Sequence, residues 1–215
     1  TQACTAYYSA VQCVNLHPGD KVLIHAAAGG VGSCLVQIAK HKGCIVFGTA
    51  SGGKQDYLKE IGVDYPIDYT KEDFSKVIAD KLGGNKLDFA FDSIGGKTFK
   101  KSWKLLQPGG SIISYGAASQ LDGNKLQAIG VALNFGFFSP IQLLMQSKSM
   151  ITVNMLRIAD HKPGLFKKVF NGVMDLVDQG VIVPRLAKKY NAGDIAEAHA
   201  FLESRKSIGK VVLEW

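Results

Sequence analysis

The sequence predicts an α/β protein built on a doubly wound parallel sheet. Two observations carry the prediction. Short apolar runs alternate with longer stretches of helical periodicity, and a glycine-rich turn joins the first such run to the first such stretch. Composition agrees with it. A chain of 215 residues suffices for one full domain, and 47% hydrophobic against 20% charged residues excludes both a disordered chain and a disulfide mini-protein. The 24 glycines against 6 prolines suit many tight strand-to-helix turns better than a proline-rich linker.

The elements follow in order. Residues 21–26 read as a buried strand after the turn His17-Pro18-Gly19-Asp20, and residues 31–41 as a helix with Val31, Leu35, Ile38 and Ala39 on one face. A second strand over 44–49 leads to a helix over 54–61, closed by Gly62. Residues 65–68 form a short strand whose Pro66 suits a sheet edge. Then come a helix over 71–82, a strand over 87–92, a helix over about 97–106 and a strand over 111–115. A sixth strand is expected over 150–154, followed by helices over 163–179 and 192–204 and a closing strand over 210–214. Such alternation requires crossover helices between parallel strands, and helices on both faces explain the almost unbroken apolar character of the strands.

The strongest local signal is Ala27-Ala28-Gly29-Gly30-Val31-Gly32, which matches the dinucleotide fingerprint G-x-G-x-x-G with only the first glycine replaced. Gly29 lets the backbone approach a pyrophosphate, Gly32 lets helix and strand pack closely, and the helix N-terminus offers N–H groups to the phosphates. The pattern alone is weak; its place between a strand and a helix gives it weight. The fold expected is therefore the Rossmann fold, with strand order 3-2-1-4-5-6. The second strand ends in Gly48-Thr49-Ala50-Ser51-Gly52-Gly53-Lys54, with no acid before Asp56 to hold ribose hydroxyls. Ser51 and the cation Lys54 suit a 2′-phosphate instead, so NADPH is the expected cofactor.

His25-Ala26-Ala27-Ala28-Gly29-Gly30-Val31-Gly32, Ile67-Asp68-Tyr69 and Phe91-Asp92-Ser93-Ile94-Gly95-Gly96 together resemble the quinone oxidoreductase (zeta-crystallin-like) branch of the medium-chain dehydrogenase/reductase superfamily. Gln107-Pro108-Gly109-Gly110, Tyr115-Gly116-Ala117-Ala118-Ser119, Ala196-Glu197-Ala198-His199 and Gly209-Lys210-Val211-Val212-Leu213 extend the resemblance, which weakens only between about 121 and 163. The resemblance implies that Ala28, Gly29, Gly30 and Val31 lie along the pyrophosphate. It implies that Ser51, Lys54 and Tyr69 surround the 2′-phosphate, that Ser93 and Ile94 approach the nicotinamide ribose, and that Gly116 and Ala117 border the nicotinamide. Tyr69 equally suits the capping of an edge strand, and Ser93 the capping of the next helix.

Members of that family carry a GroES-like catalytic domain ahead of the cofactor domain, and Thr1-Gln2-Ala3-Cys4-Thr5-Ala6-Tyr7-Tyr8 resembles the helix that enters the latter. Residues 1–215 are thus expected to be one NADP-binding domain of a longer protein, with about 1–20 and about 205–215 packing toward the other domain. Alone, this domain is expected to be inactive or nearly so. The Ala-Ala-Ala-Gly-Gly turn resembles the zinc-free branch. Cys4, Cys13, Cys34 and Cys44 show no metal spacing and read as thiols of a cytoplasmic protein. None of the five histidines pairs with a nucleophile, which suits hydride transfer by the cofactor.

The net charge is +7, but the 25 basic residues are spread along the chain, so neither nucleic acid nor a membrane surface is an expected partner. Residues 126–147 carry no charge, yet their Gln, Asn, Pro and Gly content argues against a membrane span. A homodimer is expected instead, with residues 130–138 in the contact and Phe137 and Phe138 partly facing the cleft. The leading functional expectation is an NADPH-dependent oxidoreductase passing hydride to a quinone or another conjugated carbonyl. Reduction of an enoyl thioester is the alternative within the same chemistry, and a non-catalytic NADPH-binding or membrane-associated adaptor the alternative outside it.

Overall fold

The computed structural model describes residues 1–84, 86–116, 139–204 and 207–215. Within them the apolar runs form β1 (Lys21–Ile24), β2 (Ile45–Ala50), β3 (Tyr65–Asp68), β4 (Leu87–Asp92), β5 (Leu106–Ser114) and β6 (Ser149–Thr152). All neighbours pair in parallel, in the order β3-β2-β1-β4-β5-β6. This is the Rossmann arrangement the sequence predicts.

Helices α2 (Gly30–His41) and α3 (Gln55–Glu60) carry the chain from β1 to β2 to β3, while α4 (Phe74–Leu82) and α5 (Gly96–Leu105) serve the return through β4 to β5. Right-handed crossovers moving outward one way and then the other must place these pairs on opposite faces. Two cores result. Leu35, Ile38 and Leu58 pack with Val22, Ile24 and Val46 on one face. Phe74, Ile78, Phe99 and Trp103 pack with Leu23, Phe47 and Ile112 on the other. Each fully buried Leu or Phe among them contributes about 1.5–3 kcal/mol. The first helix, α1 (Gln2–Tyr7), runs into a π-helical turn over Tyr8–Gln12 and packs on α2 and on α8 (Pro163–Asp178).

Several boundaries move for local reasons. The helix expected from residue 71 begins only at Phe74. Asp73 caps it by accepting from the Ser75 N–H, while Lys71 and Glu72 turn back to donate to the Asp68 carbonyl. Strand β5 begins at Leu106 rather than 111, pairing first with Leu87 and shifting register before Ser111 meets Phe89. The chain also forms α6 (Pro140–Gln146), α7 (Met155–His161) and α9 (Ile195–Glu203). A two-stranded parallel sheet joins β7 (Leu186–Asn191) to β8 (Lys210–Glu214). Helix α5 carries Lys97, Lys100, Lys101 and Lys104. All four cysteines are free thiols. Among the described residues, no helix is long and apolar enough to cross a membrane.

Candidate functional site: a cleft at the strand-order reversal

The sheet reverses its winding between β1 and β4, and the loops leaving the carboxyl ends of flanking strands must diverge there. A cleft of about 1330 Å³ occupies this place. Ala26, Ala28 and Gly29 line it after β1, Ala50, Ser51 and Lys54 after β2, Tyr69 after β3, and Ser93 and Ile94 after β4. Seven of the eleven residues singled out from sequence thus share one cavity. Gly30 and Val31 stand beside it in the first turn of α2, and Ala117 lies outside the described residues.

The glycine turn is built tightly. Ala26 adopts φ +49, a left-handed conformation, and its carbonyl accepts from the Gly29 N–H at 2.8 Å. A Cβ on Gly32 would stand 2.7 Å from the Ala27 Cα and closer still to the Ala26 carbonyl oxygen, so only glycine lets α2 rest on this turn. No side-chain hydrogen bond caps the helix at Gly29. Its first N–H groups and positive dipole end therefore suit an anionic group such as a pyrophosphate. Over Gly30 lies the amide of Gln2, which accepts from Lys210 on β8.

At the β2 end, Ser51 precedes a 3-10 turn over Gly52–Lys54. The Lys54 ammonium donates to the Ser207 carbonyl at 2.8 Å, and partial burial lowers its pKa. The sequence reading finds no acid at the end of β2; the structure supplies one from the neighbouring strand. Register pairs Ala50 with Asp68, and Asp68 Oδ2 would stand 2.6 Å from a Cβ on Gly52. Asp68 Oδ1 accepts from the Thr70 hydroxyl at 2.6 Å and the Thr70 N–H at 3.0 Å, and these bonds keep the carboxyl below its ordinary pKa. The only sequence signal for this placement is the strand order itself.

Beyond β4, the fully buried Asp92 accepts from the N–H groups of Ile94 (2.9 Å) and Gly95 (3.1 Å), fixing the loop that presents Ser93 and Ile94. Burial pushes its carboxyl pKa up. Gly116 closes against the same loop, since a Cβ there would lie 3.0 Å from the Ser93 carbonyl oxygen. Tyr115 donates its N–H to the Asp92 carbonyl, and its side chain bonds Ser93. Sequence reasoning used Asp92 and Tyr115 only as motif letters; both position the cleft wall.

The floor is His25, 2% exposed, with Nδ1 3.0 Å from Thr49 Oγ1 and Nε2 2.9 Å from Ser102 Oγ. Ser102 spends its own proton on the Thr98 carbonyl, so it accepts from Nε2–H, and Nδ1 in turn accepts from Thr49. Burial lowers the imidazole pKa to about 3, so the ring is neutral at ordinary pH. It ties β1, β2 and α5 together beneath the cleft. Among the described residues, no three His, Cys, Asp or Glu side chains gather as metal ligands would.

Domains of this architecture bind dinucleotides where the strand order reverses, and the chain is a dinucleotide-binding domain of that class. Comparison makes the class specific. The family model for zinc-binding dehydrogenases matches residues 61–213, and the chain belongs to this family, as a cofactor-binding domain of the medium-chain dehydrogenase/reductase superfamily. Membership implies binding of NAD(P)(H). The chain is 35% identical over 212 residues to the synaptic vesicle membrane protein VAT-1 homolog of Danio rerio, covering 97% of this chain and 44% of that protein. The CurK enoyl reductase superposes with TM-score 0.81 at 26% identity, over 99% of this chain and 60% of that one. The quinone oxidoreductase of Pseudomonas syringae pv. Tomato DC3000 does so with TM-score 0.78 at 27% identity, over 99% and 62%. The chain thus spans about half the length of the VAT-1 homologs it matches.

Proposed function

We propose that the protein is an NADPH-dependent reductase that passes hydride to a conjugated carbonyl, a quinone or an enone, without zinc. The observation that carries this reading is the end of β2 in the cleft. Ser51 and Lys54 line it, where a site built for NAD presents a carboxylate. Asp68, at the end of β3, is buried, accepts from Thr70 through Oδ1 and is not among the residues lining the cleft, so its charge is felt there without its carboxylate taking that place. The substrate class is supported by the two structural neighbours, whose names describe an enoyl reductase and a quinone oxidoreductase.

Bound NADPH supplies the hydride, and the chain supplies position. Ala28, Gly29, Gly30 and Val31 run along the pyrophosphate, with Ser51, Lys54 and Tyr69 around the 2′-phosphate. Ser93 and Ile94 face the nicotinamide ribose, and Gly116 and Ala117 the ring. NADPH is expected to bind at least about tenfold tighter than NADH, because one charge-assisted contact contributes roughly 1.5–3 kcal/mol. Calorimetric titration measures the ratio; equal affinities rule out the cofactor assignment. NADPH oxidation by the intact protein with quinone and enone panels tests the chemistry, and binding without turnover of any member rules out the reductase.

The assembly is a homodimer in this reading. Among the described residues strand β6 ends the sheet order, and α6, which precedes it in the chain, leaves Ile141, Leu144 and Met145 at 68%, 79% and 82% exposure on one helical face. An open strand edge beside an apolar patch is a surface that pairing with a second copy would cover. Residues 130–138, including Val131, Leu133, Phe137 and Phe138, lie outside the described residues. Leu144→Asp with Met145→Asp is expected to give monomers in ultracentrifugation while NADPH still binds. A monomeric wild type, or a dimeric double variant, contradicts it.

A further inference from the structure

We propose that Lys71 acts beside Lys54 in setting the preference for a 2′-phosphate; this rests on the NADPH reading above and adds to its discrimination a residue the fingerprint does not contain. Both lysines line the same end of the cleft, with Ser51, Gly53, Tyr69 and Thr70. They differ in what their ammonium groups already do. Lys54 is partly buried and donates to the Ser207 carbonyl at 2.8 Å, so it acts as a strut between the β2 turn and the segment before β8. That bond takes one of its three N–H donors and leaves two for a phosphate, while it limits how far the ammonium can move.

Lys71 has no such commitment. Its side chain is 79% exposed, and its ammonium stands 4.0 Å from Asp68 Oδ2, the outer limit of an ion pair. The backbone is fixed, because the Lys71 N–H donates to the Asp68 carbonyl at 3.0 Å. Asp68 gives the position its meaning. Thr70 holds that carboxyl in its charged form, and its second oxygen lies under Gly52, in the turn between Ser51 and Lys54. A 2′-phosphate entering there meets a fixed negative charge, which a nearby cation must offset. Lys71 stands beside the carboxylate, lines the cleft, and has a flexible stem that brings its charge to the phosphate at the cost of only a loose contact. With a 2′-hydroxyl in place of the phosphate, the same lysine has nothing to neutralise. Its contribution is therefore specific to NADPH.

Calorimetric titration of NADPH and NADH against wild type, Lys71→Ala, Lys71→Arg and Lys54→Ala tests this. Lys71→Ala is expected to cut the NADPH/NADH affinity ratio about tenfold while changing NADH affinity by less than about twofold. Lys71→Arg is expected to restore the ratio, and Lys54→Ala to lower it as well, since that ammonium also faces the 2′-phosphate. A wild type that prefers NADPH, with an unchanged ratio in Lys71→Ala or a ratio lost only in Lys54→Ala, overturns the assignment to Lys71 and leaves the cofactor reading standing. A wild type without preference overturns both.

Discussion

Gly32→Ala is expected to weaken NADPH binding at least about a hundredfold, since two charge-assisted hydrogen bonds to the pyrophosphate are lost together. It is also expected to lower folding stability by roughly 1–3 kcal/mol, the ordinary cost of overpacking. The new methyl group would stand 2.7 Å from the Ala27 Cα and nearer still to the Ala26 carbonyl oxygen. Both obstacles are backbone, so no rotamer change relieves them. The helix must move off the turn, and its N–H groups move with it. Gly164→Ala in the first turn of α8 is the matched control: nothing lies within 4 Å of the added Cβ. Alanine there is expected to leave binding unchanged and stability equal or slightly raised. Thermal denaturation and calorimetry read both effects. Wild-type affinity in Gly32→Ala would mean that the dinucleotide does not use this turn.

What the sequence made legible was whatever the chain writes locally. The parallel sheet was readable because 21–26, 44–49 and 87–92 are short unbroken apolar runs that only a sheet covered on both faces can use. The glycine turn was readable because tight backbone packing demands glycine in that place. Strand β7 was not. Its Leu-Ala-Lys-Lys-Tyr-Asn buries only Tyr190, and a mostly exposed strand in a two-stranded sheet leaves little period-2 signal. The wall of the cleft was hidden for a different reason. Asp68 stands beside Gly52, and Ser207 beside Lys54, because strand register and a distant segment bring them there. Ser51 and Lys54 could be picked out as candidates, but what Lys54 already holds could not.

The sequence pairs His25 with no nucleophile, and its burial makes it the clearest acid-sensitive group among the described residues. In the unfolded chain its imidazole titrates near its ordinary 6.5, whereas in the fold burial lowers the pKa to about 3. Below pH 6.5 the unfolded state therefore binds a proton that the folded state refuses, and stability falls as pH drops. Above that value neither state carries the charge, and the contribution is flat. Between about pH 6.5 and pH 4 the loss is expected to reach about 3 kcal/mol, at 1.36 kcal/mol per pH unit. Other groups act differently in this window. Burial raises the Asp92 pKa, so its fold retains a proton the unfolded chain gives up, which favours the folded state as pH falls. Asp73, held down by Lys101 and Ser75, loses its stabilising charge only as pH drops below the ordinary carboxylate range. His25→Gln separates the contributions, because it keeps hydrogen-bonding capacity toward Thr49 and Ser102 but cannot titrate. Urea denaturation from pH 7 to pH 4 is expected to show a steep loss in the wild type. The variant should start less stable and fall much less over the same range. Equal slopes would show that the imidazole is solvated in the fold, and that the cleft floor is open to water rather than sealed by the chain from Thr49 to Ser102.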